Sequence, residues 1–322
     1  MPLDGALIPD WPAHPRVGAL MSTRHGGASA APFDSLNLGR SAGDEPAAID
    51  ENRRRFAAAL GGRPVWLSQV HGARVLRLPS GAGPASLAAD AAITTEVGIA
   101  CTVMVADCLP VLFAAPEGRG VGAAHAGWRG LAGGVLEASV AALCDAAACT
   151  PSDLRAWLGP CIGARQFEVG AEVVEAFGGG SHFVARPRAD GAMRWLADLP
   201  GLASDRLRAA GLVQISGGEM CTVEDASRFF SFRRDGVTGR MAAAVWLCNC
   251  IFLGPQCLAS SGRGQDVEHQ GQWQHAIEHE CDRGTEQAAI GRQGFGHAYH
   301  QHDIDPTDGD HVEHDYVILR IS

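Results

Sequence analysis

Short runs of apolar and β-branched residues, bounded by Gly and Pro, recur along the first 247 residues and predict β-strands. The clearest runs are "PVWLSQV" at 64–70, "GIACTVMVA" at 98–106, "LPVLFAA" at 109–115 and "GVGAAHA" at 120–126. Helical patterns separate or follow these runs. Mixed strands and helices of this kind indicate an α/β domain whose sheets are covered by helices.

Four segments have the apolar periodicity of helices: 45–61, 131–148, 170–178 and 199–211. The first follows Asp44, which we expect to be the N-cap, carries Pro46 in its first turn and ends at Gly61. No internal repeat is visible, so the pattern does not indicate a solenoid.

The composition changes sharply near residue 248. Eight of the 13 His residues and both Tyr residues lie in the last 75 residues, which lack apolar periodicity through most of their length. We therefore expect residues 1–247 to form one domain and residues 248–322 to be a poorly packed or disordered tail. The tail could be a His-rich metal-binding segment. It could also be a read-through end without evolved structure, which we favour and which mass spectrometry of the native protein would test.

The charge of the chain argues against polyanionic partners. Its 26 basic residues, all Arg, and 36 acidic residues give a net charge of −10, which disfavours nucleic acid and anionic membrane. We expect a small-molecule substrate instead. No signal peptide or apolar span is visible, so the expected location is the cytoplasm. There the ten Cys residues would stay reduced, and a functional Cys would be a metal ligand or a nucleophile rather than half of a disulfide.

Three segments each place one metal-binding side chain at or near the end of a predicted strand: "SQVHGARV" with His71, "VADCLPV" with Cys108 and "AAHAGWRG" with His125. Two imidazoles and a thiolate form a set that suits Zn²⁺ and leaves a fourth position open for water or substrate. The spacing alone is weak support, because no CxxC or HExxH signature is present. A single His near an apolar strand is more often a hydrogen-bonded core residue than a metal ligand.

Cys108 could instead be a nucleophile with one of the two His residues as its base. Such a pair would hydrolyse amides or esters through a covalent acyl intermediate. Asp107 would then orient the histidine. Because neighbouring side chains of a strand point to opposite faces, this arrangement requires a break in the strand just before Leu109.

Several arginines supply groups that bind anions. "ENRRRF" places Arg53 and its two neighbours on a helix, where only one or two of them can face a common site. "HAGWRGLAGG" places Arg129 at the start of a helix, whose free N–H groups favour an anion such as phosphate. A third group surrounds a Gly turn: Arg233, Arg234 and Arg240. Any single one of these arginines could also be a solvated surface residue.

Six motifs, in this order, resemble the YfiH family, also called the laccase-domain or polyphenol oxidase family. They are "SLNLGRSAGDEPAAIDENRRRF", "WLSQVHGARV", "VADCLPVLF", "AAHAGWRGLAGGVLEA", "WLGPCIGARQFEVGAEVVEAF" and "RFFSFRRDGVTGRMAAAVWL". Members of this family include bacterial proteins regarded as purine nucleoside phosphorylases with adenosine deaminase activity. The resemblance covers residues 10–247 and leaves the tail outside.

The resemblance implies a four-layer α/β/β/α single domain with mixed sheets. It also implies a metal site, usually assigned to Zn²⁺, with three ligands that are also catalytic residues: His71, Cys108 and His125. The family's nucleoside and phosphate site is implied to include Asn37, Arg53 and Gln69. Arg129 as a substrate-binding residue and Asp107 as a catalytic residue come from chemistry and position. Asp107 could be a proton carrier or an anchor for the metal ligands.

On this basis we expect a zinc-dependent purine nucleoside phosphorylase with adenosine deaminase activity. Phosphorolysis of adenosine, inosine or S-methyl-5′-thioadenosine would give the free base and a ribose 1-phosphate. Arg53, together with Arg129, would hold the phosphate, whose charge stabilises the cationic transition state. Deamination would need a water made nucleophilic for attack at C6, which zinc promotes by lowering the pKa of bound water to about 7.

A copper-dependent polyphenol oxidoreductase is the remaining alternative. A multicopper centre needs on the order of ten imidazoles in His-x-His pairs, and a single His₂Cys set suits only one copper. Residues 1–247 contain five His and no His-x-His pair. We therefore rank oxidase activity below nucleoside chemistry and copper below zinc.

Overall fold

The computed structural model describes residues 3–79 and 87–248 of the 322-residue chain. Within these residues, strands form three sheets and helices pack around them. The strands are β1 (Val17–Met21), β2 (Arg63–Trp66), β3 (Val75–Leu78), β4 (Ala91–Thr94), β5 (Ile99–Val105), β6 (Leu109–Ala114), β7 (Val121–Ala126), β8 (Arg155–Leu158), β9 (Glu168–Val169), β10 (Phe183–Pro187), β11 (Met193–Ala197), β12 (Gln214–Gly217) and β13 (Met241–Leu247). The helices are α1 (Pro46–Ala58), α2 (Trp128–Ala132), α3 (Val135–Ala147), α4 (Ala171–Ala176), α5 (Leu199–Ala209) and α6 (Phe232–Asp235).

Two large sheets contain most of the strands. The four-stranded sheet has the order β1-β13-β5-β2, and the six-stranded sheet has the order β12-β8-β6-β7-β4-β3. Both sheets are mixed, since β5 pairs antiparallel with β13 but parallel with β2, and β6 pairs antiparallel with β7 while β12 pairs parallel with β8. The third sheet, β10-β11-β9, is antiparallel.

The two large sheets pack face to face. Val103 of β5 and Val245 of β13 share one buried cluster with Leu112 of β6 and Ala123 of β7. Because successive strand residues point to opposite faces, Phe113 of β6 belongs to the other cluster, in which α3 and α5 cover the six-stranded sheet. Apolar residues therefore fill both faces of β6, which explains its uninterrupted apolar sequence.

Helix α1 covers the outer face of the four-stranded sheet. Phe56 of α1 is completely buried among residues that include Leu36, Ala244 and Trp246. Burial of a side chain of this size contributes roughly 1.5–3 kcal/mol to the free energy of unfolding. The layers thus follow the order helix, sheet, sheet, helix, which confirms the predicted four-layer α/β/β/α fold with mixed sheets.

The start of α1 differs from the prediction. The N-cap residue is Glu45, whose side chain makes no capping hydrogen bond, and Pro46 occupies the first turn. The carboxylate of Asp44 instead accepts hydrogen bonds from Oγ of Ser29 at 2.6 Å and from Nδ2 of Asn37 at 3.0 Å. The other oxygen, Oδ1, accepts from the backbone N–H of Glu45 at 2.8 Å. The predicted Asp44 N-cap is therefore wrong by one residue, because Asp44 lies just outside the helix and connects its start to Ser29 and Asn37.

The predicted helix at 131–148 is two helices. Helix α2 ends at Ala132 and α3 begins at Val135, with Gly134 between them in the left-handed conformation at φ 90°. Glycine adopts this conformation without steric cost, which explains the break at the Gly pair. The predicted helices at 170–178 and 199–211 correspond to α4 and α5.

The stretch around Cys108 connects the two large sheets. Strand β5 ends at Val105 in the four-stranded sheet, and β6 begins at Leu109 in the six-stranded sheet. Residues 106–108 cross between them. This crossing is the break in the strand before Leu109 that a shared role of Asp107 and Cys108 would require.

The predicted domain limits stay a prediction, because residues 249–322 lie outside the described part of the chain. The two interpretations of this segment, as a metal-binding tail and as a read-through end, therefore also stay predictions. Among the described residues, no helix is long and apolar enough to cross a membrane.

Candidate active site

Three side chains from separate segments meet where the chain crosses between the two large sheets. His71 lies in the loop after β2, Cys108 directly precedes β6, and His125 lies in β7, opposite Pro110 of β6. Their ligand atoms lie within 4.8 Å of one another. Sγ of Cys108 is 4.0 Å from Nε2 of His71, and the two imidazole centroids are 4.9 Å apart. The structure therefore brings the three predicted metal ligands together.

The loop that carries His71 is shaped by a single buried carboxylate. His71 has a left-handed backbone, with φ 59°. Oδ1 of Asp90 accepts a hydrogen bond from the backbone N–H of His71 at 2.9 Å. Oδ2 of Asp90 accepts from the backbone N–H groups of Val70 at 3.1 Å and Gly72 at 2.7 Å. These three bonds satisfy consecutive donors of the loop and offset the strain of the conformation at His71.

Asp90 also holds His125. Nδ1 of His125 lies 2.8 Å from Oδ1 of Asp90, and the backbone N–H of His125 donates to the backbone oxygen of Asp90 at 2.7 Å. Burial alone would raise the pKa of the Asp90 carboxyl, but hydrogen bonds from His125, Gly72 and Val70 outweigh it and lower that pKa. Asp90 was not among the predicted site residues. Its one visible signal is an acid in the otherwise apolar "SLAADAAI".

Asp107 makes no hydrogen bond to either histidine. Its backbone lies in the left-handed region at φ 95°, which turns the chain between the sheets. Oδ1 accepts from Oγ1 of Thr222 and Oδ2 accepts from the backbone N–H of Arg233, both at 2.6 Å. The hypothesis that Asp107 orients the histidine beside Cys108 is therefore wrong, and Asp90 has that position. The contacts of Asp107 favour a role as an anchor over that of a proton carrier.

The electrostatic environment stabilises the thiolate of Cys108. Burial would raise the pKa of this thiol, but the charge of His125 and hydrogen bonds from His125 and His71 outweigh it and lower the pKa to about 6. Burial likewise disfavours the charged form of His125, but the charge of Cys108 and the bond to Asp90 raise its pKa to about 9. Without a metal, thiolate and imidazolium therefore form an ion pair. The thiolate is the form that binds metals and attacks electrophiles.

A side chain at Gly127, the residue before α2, would press against two of the ligands. A Cβ atom there would lie 3.0 Å from Sγ of Cys108 and 3.1 Å from Cδ2 of His71. At Gly130 a Cβ atom would lie 2.8 Å from the carbonyl oxygen of Gly72. The glycines of "HAGWRG" therefore allow the start of α2 to approach the ligand loops closely.

Two of the predicted substrate-binding residues use their amide groups within the protein. Nε2 of Gln69 donates to the backbone oxygen of Met104 at 2.8 Å, and its Oε1 accepts from the backbone N–H of Met104 at 2.7 Å. Asn37 is completely buried, and its Oδ1 accepts from the backbone N–H groups of Gly39 and Arg240, both at 2.9 Å. These contacts favour positioning roles for Gln69 and Asn37 over direct contact with a nucleoside.

The two predicted phosphate-binding arginines differ in how much of the guanidinium is available. Arg53 stacks on Trp66, 4.2 Å from its ring centroid, and its Nε donates to the carbonyl oxygen of Leu38 at 3.0 Å. Burial lowers the pKa of Arg53 to about 10, so it stays charged at neutral pH. Arg129 is exposed and lies over Trp128, and none of its N–H groups has an acceptor among the described residues.

The donor set fits a single metal ion. Two imidazoles and a thiolate suit Zn²⁺, or one copper, with an open coordination position. A carboxylate bound to the second nitrogen of a ligating histidine, as Asp90 is bound to His125, is typical of metal ligands. The other three histidines of the described residues lie outside this group: His14, His25 and His182. The chemistry of the donors leaves the identity of the metal open between zinc and copper.

This chain combines a four-layer α/β/β/α fold with a candidate site for one metal ion. Two histidines and one cysteine form that site, at the crossing between the two large sheets. The family described as "Multi-copper polyphenol oxidoreductase laccase" matches residues 18–248, and the chain belongs to that family. This confirms the resemblance seen in the six sequence motifs. The matched range contains every site residue discussed above.

Relatives of known name cover the same part of the chain. A Pseudomonas aeruginosa protein named purine nucleoside phosphorylase is 51% identical over 246 residues, which cover 75% of this chain and 98% of that protein. The Escherichia coli protein named purine nucleoside phosphorylase YfiH is 49% identical over 243 residues, with the same coverage of 75% and 98%.

Solved structures confirm the fold. A Neisseria meningitidis protein of family DUF152 has a TM-score of 0.68 and 41% identity, and the match covers 76% of this chain and 99% of that one. YlmD from Geobacillus stearothermophilus has a TM-score of 0.69 and 34% identity, and the match covers 77% of this chain and 97% of that one.

Proposed function

We propose that this protein is a zinc-dependent purine nucleoside phosphorylase. The observation that carries the proposal is the cluster of His71, Cys108 and His125, in a chain about half identical to proteins named purine nucleoside phosphorylase over nearly their whole length. The proposed substrates are inorganic phosphate and adenosine, inosine or S-methyl-5′-thioadenosine. The products are the free base and ribose 1-phosphate, or its 5-methylthio derivative.

In the proposed reaction a phosphate oxygen attacks C1′ of the ribose while the bond between C1′ and N9 of the purine breaks. Positive charge develops on the sugar, and a phosphate dianion held at that face stabilises it. Arg53 and Arg129 are the proposed phosphate contacts. Asn37 positions the loop whose carbonyl group orients Arg53, and Gln69 ties the loop of His71 to β5.

Zinc held by the three ligands would supply Lewis-acid chemistry, of the kind that also activates water for attack at C6 of adenosine. We therefore include adenosine deaminase activity in the proposal. Asp90 keeps the proton of His125 on Nδ1, so that Nε2 is available as a ligand. Asp107 holds the Cys108 loop in place through Thr222 and Arg233.

The test is incubation of the zinc-loaded protein with adenosine or inosine, with and without phosphate, followed by chromatography of the products. We expect free base and ribose 1-phosphate only with phosphate, and inosine from adenosine in both cases. Chelation should abolish both reactions, and Zn²⁺ should restore them. Cys108→Ala is the control that removes one ligand. The proposal fails if no product exceeds the level formed by that variant.

A second candidate is a hydrolase with a cysteine nucleophile. In its favour, Cys108 interacts with His125, and His125 is hydrogen-bonded to Asp90. Nucleophile, base and orienting carboxylate are connected in the same order in such enzymes. A hydrolase of this kind would lose activity on thiol alkylation and survive chelation. The zinc enzyme should be inactivated by chelation.

Copper-dependent phenol oxidation ranks below nucleoside chemistry in this proposal. Only two of the five histidines among the described residues belong to the cluster, whereas a multicopper centre needs on the order of ten imidazoles. Phenol oxidation by the copper-loaded protein truncated after residue 248, at rates that rival adenosine turnover, would reverse the ranking. We propose the cytoplasm as the location, because thiols stay reduced there.

A further inference from the structure

Arg240 lies beside the candidate active site, directly before β13. Met241 pairs with Val105, the last residue of β5. In this antiparallel register Arg240 lies opposite the segment that leads into Asp107 and Cys108. The side chain of Arg240 therefore begins at the end of the four-stranded sheet where the chain crosses towards Cys108.

The guanidinium of Arg240 is anchored on one side and open on the other. Its Nη1 donates to the carbonyl oxygens of Thr238 at 2.8 Å and Gly239 at 3.1 Å. Its Nε and Nη2 have no acceptor among the described residues. These are the two nitrogens with which Arg165 binds both carboxylate oxygens of Glu224. The open edge of Arg240 is thus preorganised for two parallel hydrogen bonds to an oxyanion.

The surroundings of Arg240 leave its charge without a direct counterion. Arg240 is half-buried and forms no ion pair with a carboxylate of the described residues. Burial lowers its pKa, while the charges of Cys108 and Asp107 act in the opposite direction. Both oxygens of Asp107 already accept other hydrogen bonds. A half-buried cation without a direct partner is costly, and a bound anion would remove that cost.

Building on the proposed function, we propose that Arg240 binds the attacking inorganic phosphate through its Nε and Nη2. Both guanidinium groups lie over an aromatic ring, Arg53 over Trp66 at 4.2 Å and Arg240 over Phe232 at 5.7 Å. Leu38 already accepts from Nε of Arg53, so Arg53 would contact the phosphate through its remaining N–H groups, whereas Arg240 offers its Nε and Nη2 together. Gly39 provides the space that Arg240 occupies, since a Cβ atom at Gly39 would lie 2.5 Å from Cγ of Arg240.

Two substitutions in the full-length, zinc-loaded protein test the proposal by different routes. Arg240→Gln removes the charge, whereas Gly39→Ala displaces the Arg240 side chain and keeps the charge. The backbone of Gly39, at φ −91°, accepts alanine. We expect each substitution to raise the Kd for inorganic phosphate, measured by calorimetry without nucleoside, and the KM for phosphate by about 10- to 100-fold. The KM for the nucleoside and the zinc content should stay within about twofold of wild type.

Arg208→Gln, which removes an exposed arginine of α5, is the matched control and should change none of these quantities. Arg240→Lys keeps the charge but loses the two-nitrogen edge, so it should recover only part of the phosphate affinity. If Arg240→Gln does not fold, as judged by circular dichroism and thermal unfolding, Arg240→Lys and Gly39→Ala decide the question.

The outcomes separate this proposal from the proposed function. An unchanged phosphate Kd in Arg240→Gln, or a wild-type protein that does not bind phosphate, overturns the role of Arg240. Ribose 1-phosphate formation that is insensitive to Arg240 would support the function and reject the site. Phosphate binding that depends on Arg240, without ribose 1-phosphate from any purine nucleoside, would support the site and reject the function.

Discussion

The carboxylate of Asp90, which is completely buried, accepts a hydrogen bond from Nδ1 of His125 at 2.8 Å. An ionised carboxylate can only accept, so Nδ1 carries the proton and Nε2 is left for a ligand. The same carboxylate accepts from the backbone N–H of His71 at 2.9 Å. The side chain of Asp90 therefore fixes both the ring orientation of His125 and the backbone of His71.

Replacement of Asp90 by Asn should weaken zinc binding about 10- to 100-fold, as for other carboxylates that support a ligating histidine. The NH₂ group of the asparagine would face N–H donors at a position where the wild-type carboxylate has an oxygen that accepts from them. The buried donors that lose their partner should lower the free energy of unfolding by about 1–3 kcal/mol. Competition with a chromophoric chelator measures the zinc affinity, and urea unfolding of the metal-free protein measures the stability.

Asp107→Asn is the matched control for Asp90→Asn. Asp107 is also a buried carboxylate that accepts two hydrogen bonds, but its donors are Thr222 and Arg233 rather than the ligands. We expect a similar loss of stability with a smaller loss of zinc affinity. The absorption spectrum of the Co²⁺-substituted protein should change more in Asp90→Asn than in Asp107→Asn. Equal losses of zinc affinity in the two variants would contradict the assigned role of Asp90.

A methyl group at Gly127 should separate the ligands without changing their chemistry, because its Cβ atom would lie 3.0 Å from Sγ of Cys108 and 3.1 Å from Cδ2 of His71. We expect Gly127→Ala to reduce zinc affinity by about 5- to 150-fold, which corresponds to a cost of overpacking of about 1–3 kcal/mol. Gly72→Ala adds the same methyl group in the neighbouring loop, where the nearest atom is 3.6 Å away, and should bind zinc normally. Equal zinc affinities of the two variants would refute the steric argument.

Local signals explain how much of this molecule could be predicted from its sequence. Apolar runs between Gly and Pro mark the strands, and His and Cys beside turns mark the three ligands. Asp90 could not be assigned in this way. Its role depends on contacts with the loop at 70–72 and with His125, which are 18 to 35 residues away in the sequence. Only the three-dimensional pairing of β4 with β7 shows that they meet.

The roles of Asp107 and Asn37 show a second limit. Asp107 is adjacent to Cys108 in the sequence, but its left-handed backbone places the carboxylate against Thr222, 115 residues downstream. Asn37 lies in a motif that the resemblance connects with substrate, whereas the structure surrounds its amide with protein groups. A motif identifies the residues around a site. Which of them can contact a ligand depends on the backbone groups nearby.

Alkylation of Cys108 in the chelator-treated protein should depend on pH as expected for a thiol with a pKa of about 6. Burial opposes the thiolate, but the charge of His125 and the hydrogen bonds from both histidines outweigh it. The rate should therefore rise through pH 6 and level off near neutral pH, whereas an unperturbed thiol titrates at about 8.5. Mass spectrometry of the Cys108 peptide after iodoacetamide pulses gives the rate. His125→Gln should move the midpoint upward, and a wild-type midpoint near that of a free thiol would contradict the ion pair.

Deletion of residues 249–322 should leave the site intact, because the family match ends at residue 248 and every site contact lies between Asn37 and Arg240. Cys248 should be retained, since its backbone N–H donates to Arg16 at 2.8 Å and its carbonyl oxygen accepts from Nε of Arg16. We expect the truncated protein to keep its zinc affinity and its KM for phosphate within about twofold. Truncation after Arg240 is the opposite control, since it removes β13 from the four-stranded sheet and should prevent folding. A large loss of zinc affinity on deletion of 249–322 alone would instead support the metal-binding interpretation of the His-rich tail.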